Sequence, residues 1–284
     1  MNCVVKYNKV KEVMNSKQNL LDVRRMQEDT RCKWVSKEIV YFEEVGSTNV
    51  EATRLATEGK DHGTLVLADS QSSGRGRRGR SWHTPKSTSI AMSIILKPKM
   101  EAEYASMLTL VQAMAVAKAI EDVSGLYAQI KWPNDVLVNE KKVCGILTQM
   151  NLSGSKVDSV IIGTGINVNQ EEFPEEIAAI ATSLKREAKV VVSREKLIEK
   201  ICCYFEKYYE TFMQTKDLSA IMEEYNERLV SVGRSVKVLD PKQEFTGDAL
   251  GINSKGELLV KKENGQIANV YAGEVSVRGI YGYV

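Results

Sequence analysis

Residues 64–96, TLVLADSQSSGRGRRGRSWHTPKSTSIAMSIIL, hold two apolar runs, 64–68 and 88–96, on either side of a loop built from glycine and arginine. Each run is short and free of Gly and Pro, so both read as buried strands. Gly74, Gly76 and Gly79 satisfy G-x-G-x-x-G after a strand, the spacing of a dinucleotide-binding turn. That turn needs a helix to open at its third glycine and receive the pyrophosphate. Here Ser81-Trp82-His83-Thr84-Pro85 and a second strand follow instead, and Arg75, Arg77, Arg78 and Arg80 put charge where such a turn uses bare backbone. The dinucleotide reading fails. Two alternatives stay open: a solvated basic patch of the kind that meets nucleic acid, or a glycine-hinged flap whose guanidinium groups close over a phosphate-bearing ligand. Trp82 is placed to stack on a purine or to fill core.

Outward from this loop, residues 39–43 (IVYFE) form a β-rich run that leads through Gly46 into Ser47-Thr48-Asn49. Thr48 and Glu51 have the form of a capping box, and Gly59 can close the helix they start. Met107, Leu110, Val111, Met114 and Ala117 keep the 3.6 period of a long helix that stops at Gly125. Residues 136–139 and 143–150 predict a hairpin turned at Glu140-Lys141, with a further strand at 160–163. Two more helices are predicted around residues 197–212 and 218–229, covering the second flank of the sheet. From Ser235 the pattern changes to short β runs of close spacing, which suggest a small barrel. The expected boundaries are an N-terminal helical extension over 1–38, a main domain over 39–232 and a C-terminal domain over 233–284. Residues 1–45 lack both Gly and Pro, and Val10, Val13 and Met14 suggest a helix there.

The 284 residues carry Lys+Arg 39 against Asp+Glu 37, a net charge of +2, so bulk charge supports neither a nucleic-acid coat nor a membrane-surface protein. Lys6, Lys9, Lys11 and Glu12 interrupt any signal-like apolar run, and no stretch approaches the ~18 apolar residues of a spanning helix, so the cytoplasm is the expected location. Five cysteines without C-x-x-C, and His62 and His83 far apart, indicate neither a zinc site nor a disulfide framework. Cys202 and Cys203, within a helical pattern, read as small buried hydrophobes.

Lys131-Trp132-Pro133-Asn134-Asp135 precedes the hairpin, and Lys142 and Gly145 lie on its return strand. Pairing around a short turn brings Lys142 back toward the opening of the first strand, so two ammonium groups and a carboxylate converge. Such a group suits phosphoryl chemistry, in which cations stabilise transferring oxygens and a carboxylate binds Mg²⁺ or orients an attacking amine. Gly163-Thr164-Gly165-Ile166-Asn167-Val168-Asn169 adds residues that admit close backbone approach and an amide.

Taken in order, Gly46 to Asn49, Gln71 with Gly74 to Trp82, Lys131 to Asp135 with Lys142 to Leu147, and Gly163 to Asn169 resemble the biotin protein ligase family, in a short form without the N-terminal DNA-binding domain. The resemblance spans residues 39–284. It implies an α+β fold, a mixed β-sheet flanked by helices like that of class II aminoacyl-tRNA synthetases, with a C-terminal SH3-like barrel. It also implies a two-step, ATP-dependent reaction: biotin becomes biotinyl-5′-adenylate with loss of pyrophosphate, and the biotinyl group then passes to a lysine of a carboxylase carrier domain, as in acetyl-CoA carboxylase. Biotin and ATP are the expected substrates, Mg²⁺ the expected companion of ATP, and no protein metal ligands are assigned.

By motif position, Ser47, Thr48, Asn49, Gln71, Arg75, Gly76, Arg77, Lys142 and Gly145 resemble biotin-binding residues. Arg77, Arg78, Arg80, Trp82, Lys131, Asn134, Asn167 and Arg278 resemble those that bind ATP or adenylate. Arg75, Lys131, Asp135 and Lys142 carry the expected catalysis. Family members that also bind operator DNA have about 60 further residues ahead of this domain where 38 stand here, so no DNA binding is expected. A homodimer is compatible with the resemblance, and lipoate or octanoate transfer is the alternative reaction on the same fold.

Overall fold

The computed structural model describes residues 20–154, 156–240, 244–272 and 276–279. The helix expected around Val10, Val13 and Met14 lies outside the described residues. In chain order the elements are α1 (Val23–Asp29), β1 (Ile39–Val45), α2 (Thr48–Thr57), β2 (Leu65–Gln71), β3 (Ser89–Leu96), α3 (Met107–Ser124), β4 (Gln129–Lys131), β5 (Asp135–Val138), β6 (Lys141–Ser153) and β7 (Lys156–Asn167). There follow α4 (Glu175–Ala178), α5 (Leu184–Ala188), α6 (Arg194–Thr215), α7 (Ser219–Arg228), β8 (Ser235–Leu239), β9 (Phe245–Ile252), β10 (Leu258–Lys261), β11 (Ile267–Val270) and β12 (Ser276–Gly279).

Seven strands form one mixed sheet in the order β1-β2-β3-β7-β6-β5-β4, parallel between β1 and β2 and antiparallel elsewhere. Every residue of β3 is buried, because both faces of the sheet's centre are covered. Strand alternation divides the work. Val66, Ile95 and Ile161 meet Ala52, Leu55 and Ala56 of α2, whereas Leu65, Leu67, Ile94 and Ile162 face the main core with α3 and α6.

Helix α3 is apolar on nearly every side because it is sandwiched between the sheet and α6, and Gly125 ends it at φ 71°. This corrects one expectation: α6 stacks on α3 over the same face of the sheet, and the other face belongs to α2. Two local expectations also change. The N-cap of α2 is Ser47 rather than Thr48, whose hydroxyl is drawn away to Gln71. The hairpin turns at Asn139-Glu140, both in the left-handed region at φ 49° and 61°, the conformation that matches the twist of paired strands.

The C-terminal strands form a separate antiparallel sheet, β11-β10-β9-β8-β12. Among the described residues no pairing joins β11 to β12, and no closed barrel is found among them. Its attachment to the larger sheet is specific: Trp132 Nε1 donates to the Gly256 carbonyl at 3.0 Å, and Asn226 exchanges two hydrogen bonds with the backbone of Ile252. Among the described residues no helix is long and apolar enough to cross a membrane.

Candidate active site

One end of the site is polar and uncharged. Ser47, Thr48 and Asn49 open α2 at the carboxyl end of β1, and all three are buried. The Thr48 amide donates to Gln71 Oε1 at 2.8 Å, and Gln71 Nε2 donates to Thr84 Oγ1 at 3.0 Å. Ser93 Oγ donates to Asn49 Oδ1 at 2.7 Å and lies 2.9 Å from Thr48 Oγ1. Asn49 Nδ2 in turn donates to Gln149 Oε1 at 2.7 Å. Mutual bonding fixes the side chains with their dipoles in place, because a buried polar group left unpaired costs about 1–3 kcal/mol. Gly163 makes this arrangement possible: a Cβ there would stand 2.0 Å from Asn49 Oδ1.

The other end is cationic. Asp135 is its centre, receiving Lys142 Nζ at 2.7 Å and Asn134 Nδ2 at 2.9 Å on the same oxygen, Oδ1. Lys131 is paired with Asp135 across β4 and β5, and the bulge between Val136 and Leu137 places Lys142 one strand farther along. The convergence expected from the hairpin is therefore present. Burial, opposed by Asp135 and aided by Lys142, Arg278 and Arg80, lowers the Lys131 ammonium to a pKa of about 8. A groove of about 440 Å³ is lined by Arg77, Arg78, Arg80, Lys131, Lys142 and Arg278, with Asp135 the single carboxylate among its lining residues. Such an excess of fixed positive charge fits a polyanion.

The glycine and arginine loop links the two ends. The Gly76 amide donates to Arg80 O at 2.7 Å and the Trp82 amide to Gly74 O at 2.9 Å, with Arg78 at φ 58° in the turn. Arg77 reaches inward, giving Nη1 to Asn134 Oδ1 at 2.8 Å and Nη2 to the Ala272 carbonyl, two residues past β11, at 3.1 Å. Burial lowers its pKa. Arg75 and Gly76 line the neutral cavity with Gln71 and Gly145, although the Arg75 side chain is exposed. Trp82 lies flat against Gly165, where a Cβ would come 2.3 Å from its Nε1, and Lys142 Nζ is 5.5 Å from the ring centroid. Beyond it, Trp82, Phe173, Ile177 and Asn167 border a recess of about 170 Å³.

The structure places the expected site residues along three adjoining cavities, which share Trp82 and Lys142 among their lining residues. Asn167 differs in detail: its amide is committed, donating to Thr182 O at 3.1 Å and accepting from Gln170 Nε2 at 3.2 Å. Residues that the motifs did not reveal are Ser93, Gln149, Phe173 and Gln170. Only Ser93 left a signal, as a hydroxyl within an otherwise apolar strand. No cluster of three or more His, Cys, Asp or Glu suited to a metal occurs among the described residues.

Comparison with known proteins agrees with this geometry. Residues 41–167 match the biotin/lipoate A/B protein ligase family, and residues 232–278 match the biotin protein ligase C-terminal domain. The chain is 38% identical over 245 residues to the bifunctional ligase/repressor BirA of Bacillus subtilis, covering 86% of this chain and 75% of that one. It is 32% identical to the biotin--[acetyl-CoA-carboxylase] ligase of Paracoccus denitrificans, covering 78% and 92%. Among solved structures, the biotin protein ligase from Aquifex aeolicus in complex with biotin and ATP superposes with a TM-score of 0.76 at 33% identity, over 86% of this chain and 99% of that one.

Proposed function

The chain belongs to the biotin protein ligase family, and from that premise we propose that it is an ATP-dependent biotin--protein ligase. It activates biotin to biotinyl-5′-adenylate with release of pyrophosphate. It then transfers the biotinyl group to a specific lysine of a biotin carboxyl carrier domain, the carboxylase of acetyl-CoA being the model acceptor. The observation that carries the reading is the juxtaposition of an uncharged polar network around Asn49 with a cationic groove, Arg77 and Lys142 lining both that groove and the cavity beside the network.

In this reading Ser47, Thr48, Asn49 and Gln71 satisfy the ureido head group, which carries both donors and an acceptor but no charge. Arg75, Gly76 and Gly145 flank the tail, whose carboxylate ends at the positive groove. Attack of that carboxylate on the α-phosphorus brings two anions together. Arg77, Lys142 and Lys131 are fixed where this charge accumulates, in a partly dry site where their stabilisation exceeds that in water. Arg78, Arg80 and Arg278 hold the remaining phosphate oxygens, Asn134 orients Arg77, and Trp82 with Asn167 borders the base. Asp135, the single carboxylate among the lining residues of the groove, would hold a Mg²⁺ ion carried in with ATP, and that ion would supply further charge neutralisation. In the second step Asp135 orients the incoming lysine amine, which attacks the acyl carbon while AMP leaves.

Residues 39–232 form the catalytic domain and 233–284 a C-terminal domain of SH3-like type in this proposal, with the protein at work in the cytoplasm. Its test is a mixture of chain, biotin, MgATP and a carrier domain. Pyrophosphate release that requires biotin, together with a carrier mass raised by one biotinyl group, supports the reading. Equal turnover with lipoate in place of biotin overturns it in favour of the alternative acid.

A further inference from the structure

Cys32 and Cys203, 171 residues apart in sequence, lie with their sulfurs 2.9 Å from each other. This is closer than an ordinary non-bonded contact between two sulfurs, and about 0.9 Å of approach separates it from the ~2.05 Å bond of a disulfide. We propose that Cys32 and Cys203 are an oxidative modification site, closing to a reversible disulfide that fastens residues 30–36 to helix α6.

The surrounding geometry holds the pair in register before any oxidant arrives. Along one face of α6, Cys203, Glu206 and Glu210 successively meet the segment that follows Cys32. The Glu206 carboxylate accepts the backbone amides of Lys33, Trp34 and Val35 at 2.8, 2.7 and 3.1 Å. Glu210 accepts Trp34 Nε1 at 3.3 Å and Lys33 Nζ at 3.4 Å. The Trp34 ring packs on His62 and Tyr209 at centroid distances of 4.5 and 5.2 Å. The segment that follows Cys32 is thus pinned to α6 beside the sulfurs, so bond closure orders little that is not ordered already.

Accessibility distinguishes the partners. Cys203 is half-buried and Cys32 is buried, whereas Cys202 and Cys144 point into the core with no exposure. A hydroperoxide therefore reaches Cys203 first. As its thiol proton leaves, the Cys203 sulfur bonds to the distal peroxide oxygen, the O–O bond breaks, and the departing alkoxide or hydroxide takes that proton. Cys32 then attacks the resulting sulfenic sulfur. The S–S bond forms, the S–O bond breaks, and the hydroxide leaves as water with the Cys32 proton. Two sulfurs lose two electrons and the peroxide gains them. Small thiols reverse the bond.

The test uses the full chain. It is treated with hydrogen peroxide at neutral pH, denatured with an alkylating agent present, and digested after glutamates, which releases residues 29–38 and 200–206. The expected product joins these two peptides through Cys32 and Cys203, carries one alkyl group on Cys202, weighs two hydrogens less than the sum of the peptides so alkylated, and separates on reduction. Cys203→Ser abolishes it and Cys202→Ser keeps it, with biotin-dependent pyrophosphate release unchanged in both reduced variants. Oxidation raises the thermal midpoint of wild type and of Cys202→Ser, and not of Cys203→Ser. Recovery of Cys32 and Cys203 as separately alkylated or over-oxidised residues overturns the proposal. So does a linkage in which Cys202 or Cys3 takes the place of either partner.

Discussion

The two ends of the cleft solve recognition by opposite means. Around Asn49 the groups are neutral and bonded to one another, with Thr48, Asn49 and Ser93 buried, so selectivity there rests on matching donors to acceptors. Around Asp135 the groups are charged and half-exposed, so that end rests on field strength and tolerates looser geometry. The contrast teaches that the first end is sensitive to displacement and the second to charge.

Removing a charge at the second end is the largest expected effect. Lys142→Ala is expected to slow pyrophosphate release about 10²–10³-fold in kcat, while biotin affinity in the absence of ATP falls far less. A loss shared equally by both would dissolve the distinction between the ends. Displacement at the first end comes next. Gly163→Ala places a methyl group on Asn49 Oδ1, and we expect about 10²-fold weaker biotin binding by calorimetry with ATP binding little changed.

Lys131 gives a sharper probe of charge alone. With its pKa lowered to about 8, its ammonium is present below that pH and fades as pH rises through it. Adenylation should therefore fall above pH 8, up to about tenfold, and Lys131→Arg should flatten that limb because guanidinium keeps its proton. At the neutral end, Ser93→Ala removes one buried hydroxyl and is expected to cost about 1 kcal/mol, or roughly fivefold in biotin Kd. The smallest effect is ionic. Raising salt from about 0.01 M to about 1 M should weaken ATP a few-fold and leave biotin affinity nearly level.

The same contrast explains what sequence could reveal. The charged end was legible because Lys131, Asp135 and Lys142 sit on three consecutive antiparallel strands, β4 to β6, and pairing converts their spacing directly into proximity. The neutral end was legible only through motif resemblance, since Ser93 and Gln149 join it from strands whose pairing the local pattern does not specify. Helix faces were readable from periodicity, but a stripe of Leu197, Ile201 and Phe205 does not say whether it meets a sheet or another helix, and here α6 met α3. The short C-terminal strands β8 to β11 are bounded by turn residues such as Asn264-Gly265 that announce them, whereas β12 has no such signal. Contacts spanning 171 residues, such as Cys32 with Cys203, leave no trace in spacing at all.

The bond from Arg77 to the Ala272 carbonyl has a consequence for how the two sheets depend on each other. The C-terminal sheet serves as the doorpost against which the arginine latch rests. A chain ending at residue 232 would keep every side chain that lines the cavity beside Asn49 and lose the strike plate. Its expected signature is leakage of activated intermediate into solvent, while the vitamin itself is still held.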